Sequence, residues 1–256
     1  MELLKKIESI VRQAGEIPLG ARNIAGKTRL KTSAADMVTA YDEQVEAFLK
    51  KKLPPLVENS IFFGEEEKEN RDPSHGWVFV VDPIDGTANF VRGFRQSAIS
   101  VALAKDGQVE YAVVLDIYKD ELFTAKRGGG AFLNGQPIHV SSLPLDRGIF
   151  GMGTSPYNTA LHARTLSLTE QLFARSCDFR RMGAAALDLC ALACGRLEAF
   201  FECQLSPWDY AAGSLLVTEA GGCISTLEGG PLVLTEKCSL WAANAVNAHV
   251  LSQLKL

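Results

Sequence analysis

The 256-residue chain is poor in the residues that build soft-metal sites and covalent active centres. It has four histidines, spread through the sequence at His75, His139, His162 and His249, and no CxxC pair among its six cysteines. That spacing argues against a zinc site. All six cysteines lie in the second half, at Cys177, Cys190, Cys194, Cys203, Cys223 and Cys238. They read as buried, reduced thiols of a cytoplasmic protein, with Cys190 and Cys194 on one helix face. No apolar run approaches the roughly 20 residues of a membrane span. The opening "MELLKKIESIVRQAGE" is interrupted by charge throughout, so it reads as an amphipathic helix, with Leu3, Leu4, Ile7, Ile10, Val11 and Ala14 on one face, and not as a secretion signal. A basic excess is also missing. The formal net charge is −4 and the pI about 5.7, so no nucleic-acid partner is expected. Lys50, Lys51, Lys52 and Arg180, Arg181 read as ordinary surface charge. Internal repeats, low-complexity stretches and EF-hand loops are likewise lacking.

What is present is an ordinary globular composition, 47% hydrophobic and 22% charged, long enough for one large domain or two packed halves. "TRLKTSAADMVTA" reads as strand and loop. A helix fits Tyr41 to Leu53, and Pro54 and Pro55 stop it. "SIFFGEEEKENRDP" is a short strand opening into an acidic loop, and "WVFVV" is a buried strand ending at Asp82. The runs "SAISVALA", "EYAVVLDI", "ELFTAKR" and "AFLNGQPIHVS", separated by turn signals, predict an antiparallel meander. From "IFGMGT" onward, strands alternate with helices: "NTALHARTLSLTEQLFARS", "GAAALDLCALACG" and "WDYAAGSLLVTEAGG" are helical, "LEAFFEC" and "LWAANA" extended, and a short helix closes the chain. The expectation is an N-terminal α+β half over residues 1–145 and a C-terminal α/β half over 146–256.

Acidic residues stand at element ends. Taken singly, three of them have structural readings. Asp42 lies three residues after Thr39, a capping-box spacing. Glu65 opens a run of three glutamates that reads as a solvated loop. Asp209 sits in the first turn of a helix, where the dipole favours it. Asp82 and Asp85 in "VVDPIDGTANF" are different. Pro83 biases Asp82 toward extended backbone, and Gly86 permits a turn that other residues resist. Carboxylates clustered at such a bend repel each other unless a cation holds them. Mg2+ takes oxygen ligands, keeps several waters, and is commonly held by a few carboxylates together with substrate phosphate. Backbone amides from Gly86 and Thr87 at a helix start suit a phosphate. This is the chemistry of a metal-dependent phosphatase.

"DPIDGTANF" and "WDYAAGSLLVTEAGG" together resemble the paired signatures of the inositol monophosphatase family. "DMVTAYD", "GEE" at Gly64–Glu66, "GGGAFLNGQPIHVS" and "RRMGAAALDLCALACGRLEAFFE" resemble further family segments in the expected order. The resemblance implies a layered αβαβα sandwich, a Mg2+ cofactor, inhibition by Li+, a homodimer, and hydrolysis of inositol monophosphate or a similar polyol or sugar phosphate. It implies that Glu65, Asp82, the Ile84 carbonyl and Asp85 hold the first metals, that Asp85 and Asp209 share a second Mg2+, and that Asp42 and Glu65 help hold a third. Thr87 with Glu65 would orient the attacking water, and the Gly86 and Thr87 amides would hold phosphate. Gly183, Ala185, Glu202 and Asp209 would face the alcohol. Arg92, Arg95, Ser97 and Ala184 depart from the usual family pattern, close to or behind the pocket. Alternatives are a sister phosphatase acting on 3′-phosphoadenosine phosphate or fructose 1,6-bisphosphate, and a non-catalytic RNA- or protein-binding module. "GTANF" in place of the nucleotide branch's "GTKGF"-like residues favours the polyol substrate.

Overall fold

The computed structural model describes residues 2–31, 37–67 and 72–255. The apolar stripe at the chain's start forms α1 (Glu2–Leu19), which buries Ile7, Val11 and Ala14. Strands β1 (Thr28–Leu30) and β2 (Met37–Thr39) pair antiparallel, and most of the expected loop between them lies outside the described residues, as does part of the acidic loop after Glu67. Helix α2 (Ala40–Lys52) opens with the anticipated capping box. Thr39 Oγ1 accepts from the Tyr41 and Asp42 amides while Asp42 accepts from the Thr39 N–H. Lys50–Lys52 complement its C-terminal dipole before Pro54 and Pro55 turn the chain.

Strands β3 (Ile61–Gly64) and β4 (Trp77–Asp85) lie side by side and run parallel. After α3 (Thr87–Arg92) come β5 (Ala98–Lys105), β6 (Gln108–Asp116), β7 (Glu121–Lys126), β8 (Ala131–Leu133) and β9 (Gln136–Ile138). These five form the expected antiparallel meander, and with β3 and β4 they make a seven-stranded sheet in sequence order. The remaining chain runs β10 (Ile149–Met152), α4 (His162–Phe173), β11 (Asp178–Arg180), α5 (Ala185–Ala193), β12 (Ala199–Leu205), α6 (Pro207–Glu219), β13 (Cys223–Ser225) and β14 (Cys238–Ala243). Its five strands form a second sheet in the order β11-β10-β12-β14-β13. The three-residue strands β11 and β13 go unseen in the sequence because so short a run shows no periodicity. The closing helix is a 3-10 segment, Ala248–Gln253.

Three apolar clusters set the layering. One face of the large sheet (Phe79, Val81, Ile99, Val101, Val113) packs on α1 and α2. Its other face (Val78, Val80, Ala102, Ala112, Val114) packs on α5 and α6, whose far side meets Phe200, Leu240 and Ala242 of the second sheet. The outer face of that sheet (Phe150, Phe201, Trp241) is covered by Leu168 and Leu172 of α4 and by the C-terminal turn. The order is helix, sheet, helix, sheet, helix: the αβαβα sandwich. Alanine-rich α5 and α6 cross closely in the middle layer. A Cβ on Gly213 would lie 2.4 Å from Leu189 Cδ1, so that crossing admits no side chain at 213. None of the helices among the described residues is long and apolar enough to cross a membrane. All six cysteines are free. Cys190 and Cys203 are buried as expected, but Cys177, in the bend before β11, and Cys223, the first residue of edge strand β13, are exposed.

Candidate active site

The parallel pairing of β3 with β4 brings their C-terminal ends together. Gly64 lies opposite Val81, and the Glu65 N–H donates to Val81 O at 3.2 Å, so Glu65 emerges beside Asp82. Between Asp82 and Asp85 the register against β5 shifts. Pro83 offers no N–H to the ladder, and the Ile84 N–H turns onto Asp82 Oδ1 at 3.0 Å. The bulge aims both aspartates the same way while Ile84 anchors in the core under α2. Gly86 follows with φ +82°, and a Cβ there would come within 2.9 Å of Gln96 O and 3.1 Å of Gly183 O. Ser97, buried, donates to Gly86 O at 3.0 Å and pins this turn. Asp85 Oδ2 accepts from the Ala186 N–H at 2.7 Å. The start of α5 has no side-chain cap on Ala184, so the carboxylate of Asp85 takes over that role across 101 residues of chain. Asp209 arrives on the first turn of α6, held by the Ser206 N–H at 2.7 Å on Oδ2. Capping and site roles therefore coexist in Asp42 and Asp209: one oxygen serves the helix start and the other is left for the site.

Glu65, Asp82, Ile84, Asp85, Gly86 and Thr87 line one cavity of about 130 Å³ together with Gly183, Ala185, Glu202 and Asp209. Asp42 is fully buried one step behind it, with Oδ1 3.2 Å from Thr87 Oγ1. Thr87 Oγ1 also lies 3.0 Å from Ile84 O. Arg92 and Arg95 do not line the cavity; they are exposed beyond α3, with Arg95 over the Tyr118 ring. Arg181, which reads as surface charge in the sequence, lines the cavity and donates to Thr154 Oγ1. Lys31 Nζ reaches Glu65 at 3.0 Å and also Glu66.

The electrostatics of the group are those of crowded acids. Burial, then repulsion from Glu65, Asp85 and Asp209, pushes the Asp82 carboxyl well above the usual range. Burial, then Asp85 and Glu65, does the same to Asp209. Burial raises Asp85 to about 7 despite the Ala186 N–H, with Glu65 and Glu202 adding to it. Burial raises Asp42 to about 6 against the pull of Thr39, and Glu202 to about 7 against the pull of Ser155 and Arg181. Among the described residues no three of these side chains close into a metal cage by themselves. They line a shared cavity with open positions, the arrangement of a cation that keeps waters and takes up a substrate oxygen. The donor set, carboxylates plus one carbonyl, fits Mg2+.

Asp188 is the acidic residue of this region that sequence reading passes over. It lines the same cavity from α5, 1% exposed. Its signal was available: it is the single charge in "AALDLCALA", a helix otherwise wholly apolar and entirely buried.

Comparison with known proteins bears on this geometry. The chain matches the inositol monophosphatase family over residues 1–255. It is 38% identical over 231 residues to an inositol-1-monophosphatase of Rhizobium meliloti (strain 1021), covering 89% of this chain and 84% of that protein. It is 41% identical over 197 residues to the Nus factor SuhB of Escherichia coli (strain K12), covering 76% and 73%. The crystal structure of the extragenic suppressor protein suhB from Bartonella henselae superposes with a TM-score of 0.90 at 31% identity, covering 99% of this chain and 98% of that one.

Proposed function

This chain belongs to the inositol monophosphatase family, and on that premise we propose that it is a Mg2+-dependent phosphomonoesterase of inositol monophosphate or a similar polyol or sugar phosphate. The observation that carries the reading is the meeting of Glu65, Asp82, Asp85 and Asp209, from three separate segments, on one cavity. Asp82 and Asp85 are buried and Glu65 and Asp209 half-buried beside them, and acids so crowded are relieved by protonation or by a cation. Glu65, Asp82, the Ile84 carbonyl, Asp85 and Asp209 would hold Mg2+, with Asp42 and Glu65 assisting a further, weaker ion. When bound, Mg2+ supplies positive charge for the phosphoryl group and for the entering and departing oxygens.

The residues of the chain do the rest. Thr87 Oγ1 carries one proton and has two acceptors in reach, Ile84 O at 3.0 Å and Asp42 Oδ1 at 3.2 Å. Donation to either leaves its lone pairs free to accept from a water in the cavity, which Glu65 also faces. Thr87 with Glu65 would thereby orient that water, while Ile84 O and Asp42 Oδ1 fix the direction of the Thr87 hydroxyl. The Gly86 and Thr87 amides would receive the phosphate, and Glu202, with Gly183 and Ala185, would face the alcohol; all of them line the cavity. Family resemblance adds a homodimer to the proposal.

The name of the Rhizobium relative supports an inositol phosphate substrate. The name of the E. coli relative supports a second reading, in which the same fold also serves as a protein or RNA partner. Phosphate release from inositol 1-phosphate, glycerol 2-phosphate, fructose 1,6-bisphosphate and 3′-phosphoadenosine phosphate, each in Mg2+ and in EDTA, separates these. We expect Mg2+-dependent release, greatest for inositol phosphate, suppressed by Ca2+ and by millimolar Li+. Release undiminished in EDTA would refute the metal role, and no release from any substrate would leave the second reading.

A further inference from the structure

Asp188 has no partner for its carboxylate among the described residues. Oδ1 is wholly buried without a hydrogen bond, and no hydrogen bond reaches the other oxygen. A buried carboxylate left this way is costly and rare. It lines the cavity beside Glu202, and burial and the negative charge of Glu202 both act on it. Glu202 itself is half engaged: Oε1 accepts from the Ser155 N–H at 2.8 Å, and Oε2 takes no bond from the protein.

The sequence "FGMG" explains how both acids fit. Gly151 and Gly153 are two apart along the β10 direction and so face the same way. A Cβ on Gly151 would lie 3.0 Å from Asp188 Oδ1, and one on Gly153 would lie 1.8 Å from Glu202 Oε2. Gly153 leaves the volume that the Glu202 carboxylate occupies, and Gly151 leaves room shared by Asp188 Oδ1, Leu197 and Phe200. The two carboxylates therefore stand on the same wall of the cavity, next to one another along the β10 direction.

We infer that Asp188 is a specificity-determining residue, accepting a hydrogen bond from a substrate hydroxyl adjacent to the one that Glu202 accepts. The substrate class is then a phosphomonoester whose alcohol carries a vicinal diol away from the phosphate. This rests on the phosphatase reading above and narrows it.

The test is a cycle between residue and hydroxyl. Wild type, Asp188→Asn and Asp188→Ala are assayed for kcat/KM on inositol 1-phosphate, on its monodeoxy analogues, and on phenyl phosphate, which has no hydroxyl. Asparagine keeps the shape and removes the charge, so folding is preserved; alanine checks it, and cooperative urea unfolding is recorded for both. The expected result is a loss of about tenfold or more on inositol 1-phosphate relative to phenyl phosphate. At least one monodeoxy analogue should be about tenfold poorer than the parent in wild type and equal to it in Asp188→Asn. Equal losses on all substrates would assign Asp188 to structure alone and overturn the inference. So would a wild type indifferent to every deoxygenation, a result that needs no variant. A wild type that turns over phenyl phosphate but no polyol phosphate overturns the diol while leaving phosphatase activity standing; one that turns over nothing overturns both.

Discussion

Replacing Asp85 by asparagine should make the metal-free protein more stable while destroying its activity. The carboxyl of Asp85 is raised from its ordinary 3.8 to about 7, first by burial and then by Glu65 and Glu202. Below about pH 4 it is protonated in both folded and unfolded chains. Between about 4 and 7 the folded state keeps a proton that the unfolded state has released. Stability therefore falls as pH rises through that window, and the whole loss is present above 7. The span corresponds to roughly 4 kcal/mol. Because Asp82, Glu65 and Asp209 share the repulsion, a measured gain on the order of 2–4 kcal/mol is expected. Asparagine cannot ionise, and its carbonyl can still accept from the Ala186 N–H that Asp85 holds at 2.7 Å. Urea titrations in EDTA from pH 5 to pH 9 give the comparison through midpoints at unchanged m-value. Asp85→Asn should already lead modestly at pH 5, by about 1–1.5 kcal/mol, and by the full margin at pH 8. Adding Mg2+ at about 100 times its Kd should stabilise wild type by about 2.7 kcal/mol and the variant far less, while kcat of the variant collapses. A variant no more stable than wild type in EDTA at pH 8 would refute the account of these acids as crowded by burial and mutual charge. A variant equally stabilised by Mg2+ would remove Asp85 from the ligand set.

Thr87→Ala should lower kcat by about 10²-fold with little change in KM, whereas Asp42→Asn should act more mildly and chiefly raise the Mg2+ needed; an unchanged kcat in Thr87→Ala would reduce its hydroxyl to a hydrogen bond within α3. Glu202→Gln should weaken use of inositol 1-phosphate against glycerol 2-phosphate by roughly 1–3 kcal/mol in kcat/KM, and an unchanged ratio would exclude Glu202 from specificity. Gly86→Ala meets both a positive φ and a carbonyl at 2.9 Å, while Gly221→Ala meets a positive φ in open space. The first should cost well over the about 1–2 kcal/mol of backbone strain alone and the second no more than that, as read from urea midpoints.

The amino-acid sequence by itself determined the local elements and the chemistry that each could bring. Thr39 and Asp42 spelled a helix start, Pro83 and Gly86 an extended Asp82 followed by a turn, and the strand-like runs between turn signals from Ser97 onward a meander. These are legible because they depend on neighbours a few residues apart. The sequence also carried the family's two signatures, and with them Glu65, Asp82, Asp85 and Asp209 as candidates. Their meeting was decided only by tertiary structure. It follows from the parallel pairing of β3 and β4, which sets Glu65 beside Asp82, and from the placing of α5 and α6 between two sheets, which brings Asp209 and the Ala186 amide to Asp85. Neither is local: the first joins residues 17 apart in sequence and the second residues more than 100 apart. The same packing turned Asp188 from a lone charge in an apolar helix into part of the cavity wall. It also gave the glycines of "FGMG" their use as space for neighbouring side chains, because only the assembled second sheet places β10 beside β12 and against α5.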